Sequence, residues 1–207
     1  MRLFLIFVSL SAALAQSVTI GIKGGGRVTD DVSGDATSES KRYVVGPAFE
    51  VGLPLGLGVE VDALYRRDGY SSASGNFAGS VFNRERVNSW EFPILLSYQL
   101  RVPVVKPFAE VGFAPRVGSG TLDGSLSISI PTQSYQQTHT SAAWQTSQGL
   151  VVGGGVRLAL GHLQLSPEVR YTHWNNAAFS GNYPDGPSYQ STQNQVDVLL
   201  GIGWKTR

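Results

Sequence analysis

Apolar residues recur at every second position in stretches of about ten residues, and the positions between them carry polar groups and charge. Nearest the C-terminus, Val196, Val198, Leu200, Ile202 and Trp204 alternate with Asp197, Gly201, Gly203 and Lys205. Successive side chains of an extended chain point to opposite faces, so this segment reads as a strand with one apolar and one polar face. The same alternation sets Val18, Ile20 and Ile22 against Thr19, Gly21 and Lys23. It sets Tyr43, Val45, Pro47, Phe49 and Val51 against Ala48 and Glu50, and Leu57, Val59, Val61, Ala63 and Tyr65 against Glu60, Asp62 and Arg66. Further on, Trp90, Phe92, Ile94, Leu96 and Tyr98 oppose Ser89, Glu91 and Gln99, while Ala109, Val111, Phe113 and Val117 oppose Glu110, Gly112 and Arg116. Leu150, Val152, Val156 and Leu158 oppose Gly153, Gly155 and Arg157, and Leu165, Val169 and Tyr171 oppose Gln164, Glu168 and Arg170.

Eight strands follow from this pattern, over residues 16–27, 42–53, 57–66, 87–100, 107–118, 148–160, 163–174 and the C-terminal stretch. Short turns at Pro54-Leu55-Gly56, Val102-Pro103 and Gly161-His162 follow strands two, four and six. The connections after strands one, three, five and seven run to roughly fourteen residues or more. Soluble sandwiches have no reason to segregate long and short loops to opposite ends. The fold class expected is all-β, an eight-stranded antiparallel up-and-down transmembrane β-barrel, in which one face of every strand meets lipid.

On that reading the lipid-facing aromatics sort by height. Tyr43, Tyr65, Trp90 and Tyr171 stand at the loop end of their strands, and Tyr98 and Trp204 at the turn end, as two girdles at the headgroup levels would require. The opposite parity collects Glu50, Glu60, Asp62, Glu91, Glu110, Glu168 and Asp197 with Lys23, Arg66, Arg116, Arg157 and Arg170. A charge on the lipid face costs several kcal/mol near the midplane. Inside, the charges pair, and an eight-stranded barrel is only wide enough for side chains to fill. A packed polar interior, with Arg–carboxylate pairs formed across neighbouring strands, is therefore expected in place of an open pore.

The N-terminus carries Arg2, an apolar run from Leu3 to Leu10 and the small-x-small site Ala13-Leu14-Ala15, the signature of a signal peptide. Residues 1–15 are read as that signal and residues 16–207 as the barrel domain. Gln16 then begins the mature chain, and since it is not Cys no lipid anchor is expected. The apolar run is too short for a membrane-spanning helix, and no other stretch is long enough. There is no cysteine, which removes disulfides and thiol chemistry. Without Arg2 the 16 basic residues become 15, against 15 acidic, so no basic surplus points to nucleic acid.

Taken together, the signal, the eight alternating strands, the interior charges and the late aromatic Trp204 resemble the small OmpA/OmpX-like outer-membrane β-barrels, over the whole mature sequence. The resemblance implies a place in the bacterial outer membrane among its lipid and lipopolysaccharide, and delivery by the barrel-assembly machinery. Members of the group end on an aromatic read by that machinery; here Trp204 is followed by Lys205-Thr206-Arg207, which displaces the signal. No peptidoglycan-binding domain is expected beyond the last strand.

Candidate chemistry is sparse. His139, His162 and His173 have no metal-ligand spacing, and neither a metal nor another cofactor is expected. Gly24-Gly25-Gly26 and Gly153-Gly154-Gly155 lack the Lys-Ser/Thr of a phosphate loop. The stretch His173-Trp174-Asn175-Asn176-Ala177 resembles the His-x-Ser-Asn-Ala of outer-membrane lipid A 3-O-deacylases. Asn175, however, stands where their nucleophile belongs, and the nearest downstream acid is Asp185. The alternative reading makes His173 and Trp174 caps of the outer girdle. The loops are the better place for function. The first carries Asp30, Asp31, Asp35 and Glu39. The third, Leu122 to Gln145, is nearly uncharged, and its alternating Leu126, Ile128 and Ile130 suggest a projecting hairpin. The fourth holds Tyr183 and Tyr189 in an Asn/Gly/Ser-rich setting suited to binding. The expected role is non-enzymatic, structural or surface-interacting, with an extracellular ligand as partner. A narrow ion-conducting pore is the alternative, and a deacylase lacking its nucleophile a lesser one.

Overall fold

The computed structural model describes residues 17–30, 32–34, 37–38, 42–76, 79–102, 105–128, 134–141, 145–177, 180–181 and 189–206. The expected signal peptide and the residues Asp31, Asp35, Glu39, Pro103, Ile130, Tyr183 and Asp185 lie outside the described residues. Eight long strands make the molecule. β1 is Ser17–Arg27 and β2 is Tyr43–Gly52. β3 runs Leu57–Asp62 and on through Leu64–Asn76, and β4 runs Gly79–Glu91 and on through Ile94–Gln99. β5 is Val105–Ile128, β6 is Gln145–Leu160, β7 is Leu163–Trp174 and β8 is Asn194–Lys205.

Each strand pairs antiparallel with its sequence neighbours, and β1 pairs with β8, from Thr19 opposite Lys205 to Arg27 opposite Asp197. The ring is closed, so among the described residues no strand leaves an open edge of backbone N–H and C=O groups toward the lipid, which is the condition for a sheet to cross a bilayer. Among the described residues no helix is long and apolar enough to cross.

Prolines interrupt β3 and β4 without moving their register. Val61 faces Ile94 below the interruption and Leu64 faces Glu91 above it, the same alignment on both sides. Pro47 and Pro93 have no N–H to give the ladder, yet their carbonyls still accept, from Ala63 N at 3.0 Å and Asp62 N at 3.1 Å. Two of the tight turns fall where expected, and the third, at Val102-Pro103, lies partly outside the described residues. Pro54–Gly56 forms a single 3-10 turn in which Leu55 and Gly56 take positive φ of 65° and 84°, and Gly161 takes φ 67° before His162.

The loop-end boundaries differ from expectation. β3 continues to Asn76 and β4 begins at Gly79, so the second long connection is a hairpin whose strands stay paired almost to its tip. β5 continues to Ile128 and pairs with β4 from Gly79 upward, while Ser134–Ser141 folds back on residues 121–128. These outer stretches, such as Ser71-Ser72-Ala73-Ser74-Gly75, have no apolar face to maintain, so the period-two signal vanishes although the ladder continues. A small second sheet joins the first and last connections: Tyr189–Ser191 pairs with Val32–Gly34 on one side and Ser180–Gly181 on the other.

Candidate functional site

Burial is inverted relative to a soluble protein. Outward-facing Ile20 and Ile22 are each 59% exposed and Leu150 is 69% exposed, whereas inward-facing Lys23, Arg66 and Arg170 are no more than 3% exposed. The inward parity of eight strands brings the charges into one column, which divides into layers.

The middle layer is built by β1, β3, β5 and β7. Lys23 Nζ donates to Glu168 Oε1 and Oε2 at 3.0 and 2.9 Å and to Glu60 Oε1, and it lies 3.7 Å from Asp62 Oδ2. Arg170 donates through Nε to Glu110 at 3.1 Å and through Nη1 to Asp62 at 3.0 Å. Its Nη2 reaches Glu60 at 3.0 Å and Glu168 at 2.8 Å. Glu60, Glu110 and Glu168 converge closely enough to offer three oxygens to a metal ion. Lys23 and Arg170 bring their own positive charge to that point and hold all three carboxylates.

Toward the loop end, Arg66 Nε donates to Glu91 Oε1 at 3.0 Å and Nη2 to Asp197 Oδ2 at 2.7 Å. Gln195 Nε2 donates to the same Asp197 oxygen at 2.7 Å, and Gln195 Oε1 accepts from Trp174 Nε1 at 2.9 Å. The Trp174 ring lies under the Arg116 guanidinium at 3.9 Å, and Arg116 Nε donates to Ser147 Oγ at 3.0 Å. Trp174 is thus inside the barrel, where it packs with Leu95, Ala114 and Val151. Its reading as a cap of the outer girdle is corrected: it is one residue out of parity with Tyr171 and His173, which face outward. The interior is also less uniformly polar than expected, since Val44, Leu64 and Leu199 form a second buried apolar cluster at this level.

Toward the turn end, Arg157 reaches Glu50 Oε1 at 3.1 Å, Gln99 Oε1 at 3.3 Å and Ser97 Oγ at 3.4 Å, and stacks at 4.0 Å over Phe108. Gln164 Nε2 donates to Glu50 Oε2 at 3.3 Å. Below this pair the barrel opens into a cavity of about 700 Å³.

Of the outward rings, Tyr43 and Tyr65 lie 6.3 Å apart, Tyr65 meets Trp90 edge-on at 5.5 Å and Trp90 stacks on Phe92 at 6.4 Å, one row across β2, β3 and β4. Tyr171 O–H donates to Asn194 Oδ1 at 2.8 Å. At the turn end Trp204 stacks on His162 at 5.3 Å, and Tyr98 is exposed. His173 Nδ1 lies 2.8 Å from the same Asn194 oxygen. Asn175 Oδ1 accepts the Gln148 N–H at 2.9 Å.

Sequence reasoning missed Gln195, Ser97, Ser147 and Lys106 as inward groups. Parity alone would have found them, since each sits an even number of positions from a charge already assigned to the lumen.

Residues 2–205 match the family described as the outer membrane protein beta-barrel domain. The chain belongs to that family. It is a small eight-stranded barrel of the bacterial outer membrane, and in this family the short turns face the periplasm and the long connections the exterior. Among solved structures, it is similar to the outer membrane protein OprG from Pseudomonas aeruginosa, with 16% identity and a TM-score of 0.52, over 93% of this chain and 97% of that one. It is also similar to Neisserial surface protein A, with 17% identity, a TM-score of 0.42 and 92% and 97% coverage. A further similar structure is Ail, the attachment invasion locus protein of Yersinia pestis, in complex with the heparin analogue sucrose octasulfate, with 13% identity, a TM-score of 0.43 and 92% and 97% coverage. No curated protein sequence matches the chain significantly.

Proposed function

We propose that this barrel is a non-catalytic outer-membrane anchor whose projecting strands contact a ligand or surface outside the cell. The observation that carries the reading is the length of β3, β4 and β5. Beyond Tyr65, β3 continues paired to Asn76, roughly 35 Å of extended chain at about 3.3 Å per residue. With β5 and the Ser134–Ser141 strand, it makes a sheet extending past the row of aromatic rings. Such a sheet offers backbone edges and long faces to a partner.

The lumen supports the same reading. Three stacked layers of side chains tied by ion pairs run through it from Glu50 to Trp174, which favours a strut over a conduit. The Tyr43–Tyr65–Trp90 row and Tyr171 sit at the outer headgroup level, against lipopolysaccharide, and Tyr98 and Trp204 at the inner one. Catalysis is disfavoured because the nucleophile position of the deacylase-like stretch holds Asn175, tied to the Gln148 backbone, and the His173 ring is tied to Asn194.

The test is adherence of cells expressing the protein to host-cell and polysaccharide surfaces, compared with a deletion of residues 122–145. The deletion should assemble normally and lose adherence. Unchanged adherence would remove the surface role, steady conductance of the intact protein in planar bilayers would replace it with the pore reading, and release of 3-hydroxy fatty acid from lipopolysaccharide would replace it with a hydrolase.

A further inference from the structure

The periplasmic mouth carries charge that the lumen network leaves over. The cavity there is lined by Arg101, Lys106 and Lys205, with Glu50 as its only acid among the described residues. Lys106 shares the inward parity of Phe108 and Glu110 on β5, and Lys205 that of Asp197 and Gly201 on β8. Both therefore aim into the cavity and away from the lipid around the barrel. Glu50 is already held by Arg157 and Gln164. Among the described residues, no ion pair reaches Arg101, Lys106 or Lys205.

The strand register adds a second observation. Lys106 stands directly opposite Arg157 across the β5–β6 ladder. Like charges in that position repel and destabilise the pair. The Arg157–Glu50 pair lies between this group and the acid-rich middle layer, so the surplus cations face the open recess and not the carboxylates above.

We infer that the periplasmic mouth binds a multivalent oxyanion, bearing phosphate or carboxylate groups, between Arg101, Lys106 and Lys205. Lysine and arginine donors converging on a recess of this size match such a ligand by charge-assisted hydrogen bonds. The amide of Gln99 and the hydroxyl of Thr19, which also line the cavity, supply neutral partners. The same chemistry is offered by a soluble periplasmic anion and by an anionic headgroup of the inner leaflet.

Calorimetric titration of the full chain in zwitterionic nanodiscs with inorganic pyrophosphate tests this. Saturable binding is expected. The double substitution Lys106→Gln/Lys205→Gln should weaken it at least ten-fold with heat-modifiable gel mobility intact, Lys106→Arg/Lys205→Arg should retain it, and Glu50→Gln should tighten it by removing the acid. In nanodiscs containing phosphatidylglycerol, loss of pyrophosphate binding assigns the site to a lipid headgroup, and retention assigns it to a soluble anion. Absence of saturable binding in zwitterionic nanodiscs overturns the inference, and so does equal binding by the wild type and the Gln double variant. Should that variant fail to assemble, unchanged affinity in Glu50→Gln overturns it independently.

Discussion

Arg170 on β7 reaches Asp62 on β3, the strand diametrically across the barrel, with 3.0 Å between Nη1 and Oδ2. The same guanidinium holds Glu60, Glu110 and Glu168, so one side chain ties three strands through the lumen. Arg170→Ala leaves four buried carboxylates with Lys23 as their nearest cation. Removing one partner of a buried ion pair costs about 3–5 kcal/mol because the others stay desolvated. The expected outcome is a loss of that size in urea unfolding from lipid vesicles, read by the shift from compact to extended gel mobility. Arg170→Lys should recover only part of it, since an ammonium group cannot reproduce the planar fork that spans the four acids.

Trp174 is the buried aromatic at the loop end of the lumen. It fills the space beside Leu95, Ala114 and Val151, supports Arg116 on its face and donates to Gln195. Trp174→Ala should cost about 3–5 kcal/mol, as large-to-small changes at buried aromatics do, and should leave Arg116 without its platform. Planar bilayer recording should then register intermittent conductance absent from the wild type. A silent Trp174→Ala variant would mean that the Arg66–Glu91–Asp197 layer below seals the lumen by itself.

How far the sequence shows all this depends on what each residue faces. Where one side meets lipid and the other meets the lumen, the lipid side is apolar and every interior charge falls on the other parity, so the parity of Ile20, Ile22 and Lys23 or of Val198, Leu200 and Asp197 is readable directly, even where Leu95, Val151 and Leu199 add apolar residues to the lumen side. Beyond the aromatic row the sequence Ser71-Ser72-Ala73-Ser74-Gly75 carries no apolar alternation, so it reads as loop although the backbone stays paired. At Trp174 two signals conflict: the aromatic type at a strand end points to a girdle, while the count from Arg170 places the ring inside. The expectation that acids and bases pair across neighbouring strands holds for Arg66 and Glu91 but not for Arg66 and Asp197 or Arg170 and Asp62, which meet across the lumen because long side chains span so narrow a barrel.

Glycines on β5 and β1 separate two roles. A Cβ on Gly112 would lie 2.0 Å from the carbonyl oxygen of Ile94, a backbone atom that the β4–β5 ladder fixes, whereas a Cβ on Gly24 would meet nothing nearer than 3.8 Å. Gly112→Ala should therefore fail to yield the compact heat-modifiable band, or should lose at least the ~1–3 kcal/mol typical of overpacking. Gly24→Ala should be neutral or slightly stabilising, because it restricts the unfolded chain at a position whose native φ is not positive. Equal behaviour of the two would mean that β4 and β5 can separate at this point.

Val111 tests the lipid face itself. It is 54% exposed, pairs with Leu96 and Val152, and stands beside Glu110 of the middle layer, at mid-height in the barrel. Val28 is 64% exposed on the same outward parity but lies at the external end of β1. An arginine at the bilayer midplane of a barrel costs about 2–4 kcal/mol, and one near the interface about 0–1 kcal/mol. Val111→Arg should thus lower unfolding stability in vesicles by the larger amount and Val28→Arg by the smaller. In detergent micelles, whose apolar core is thinner and more deformable, the gap between the two should narrow. The depth dependence is the diagnostic, since exposure to water alone would make both substitutions nearly neutral and rank Val28→Arg no differently from Val111→Arg.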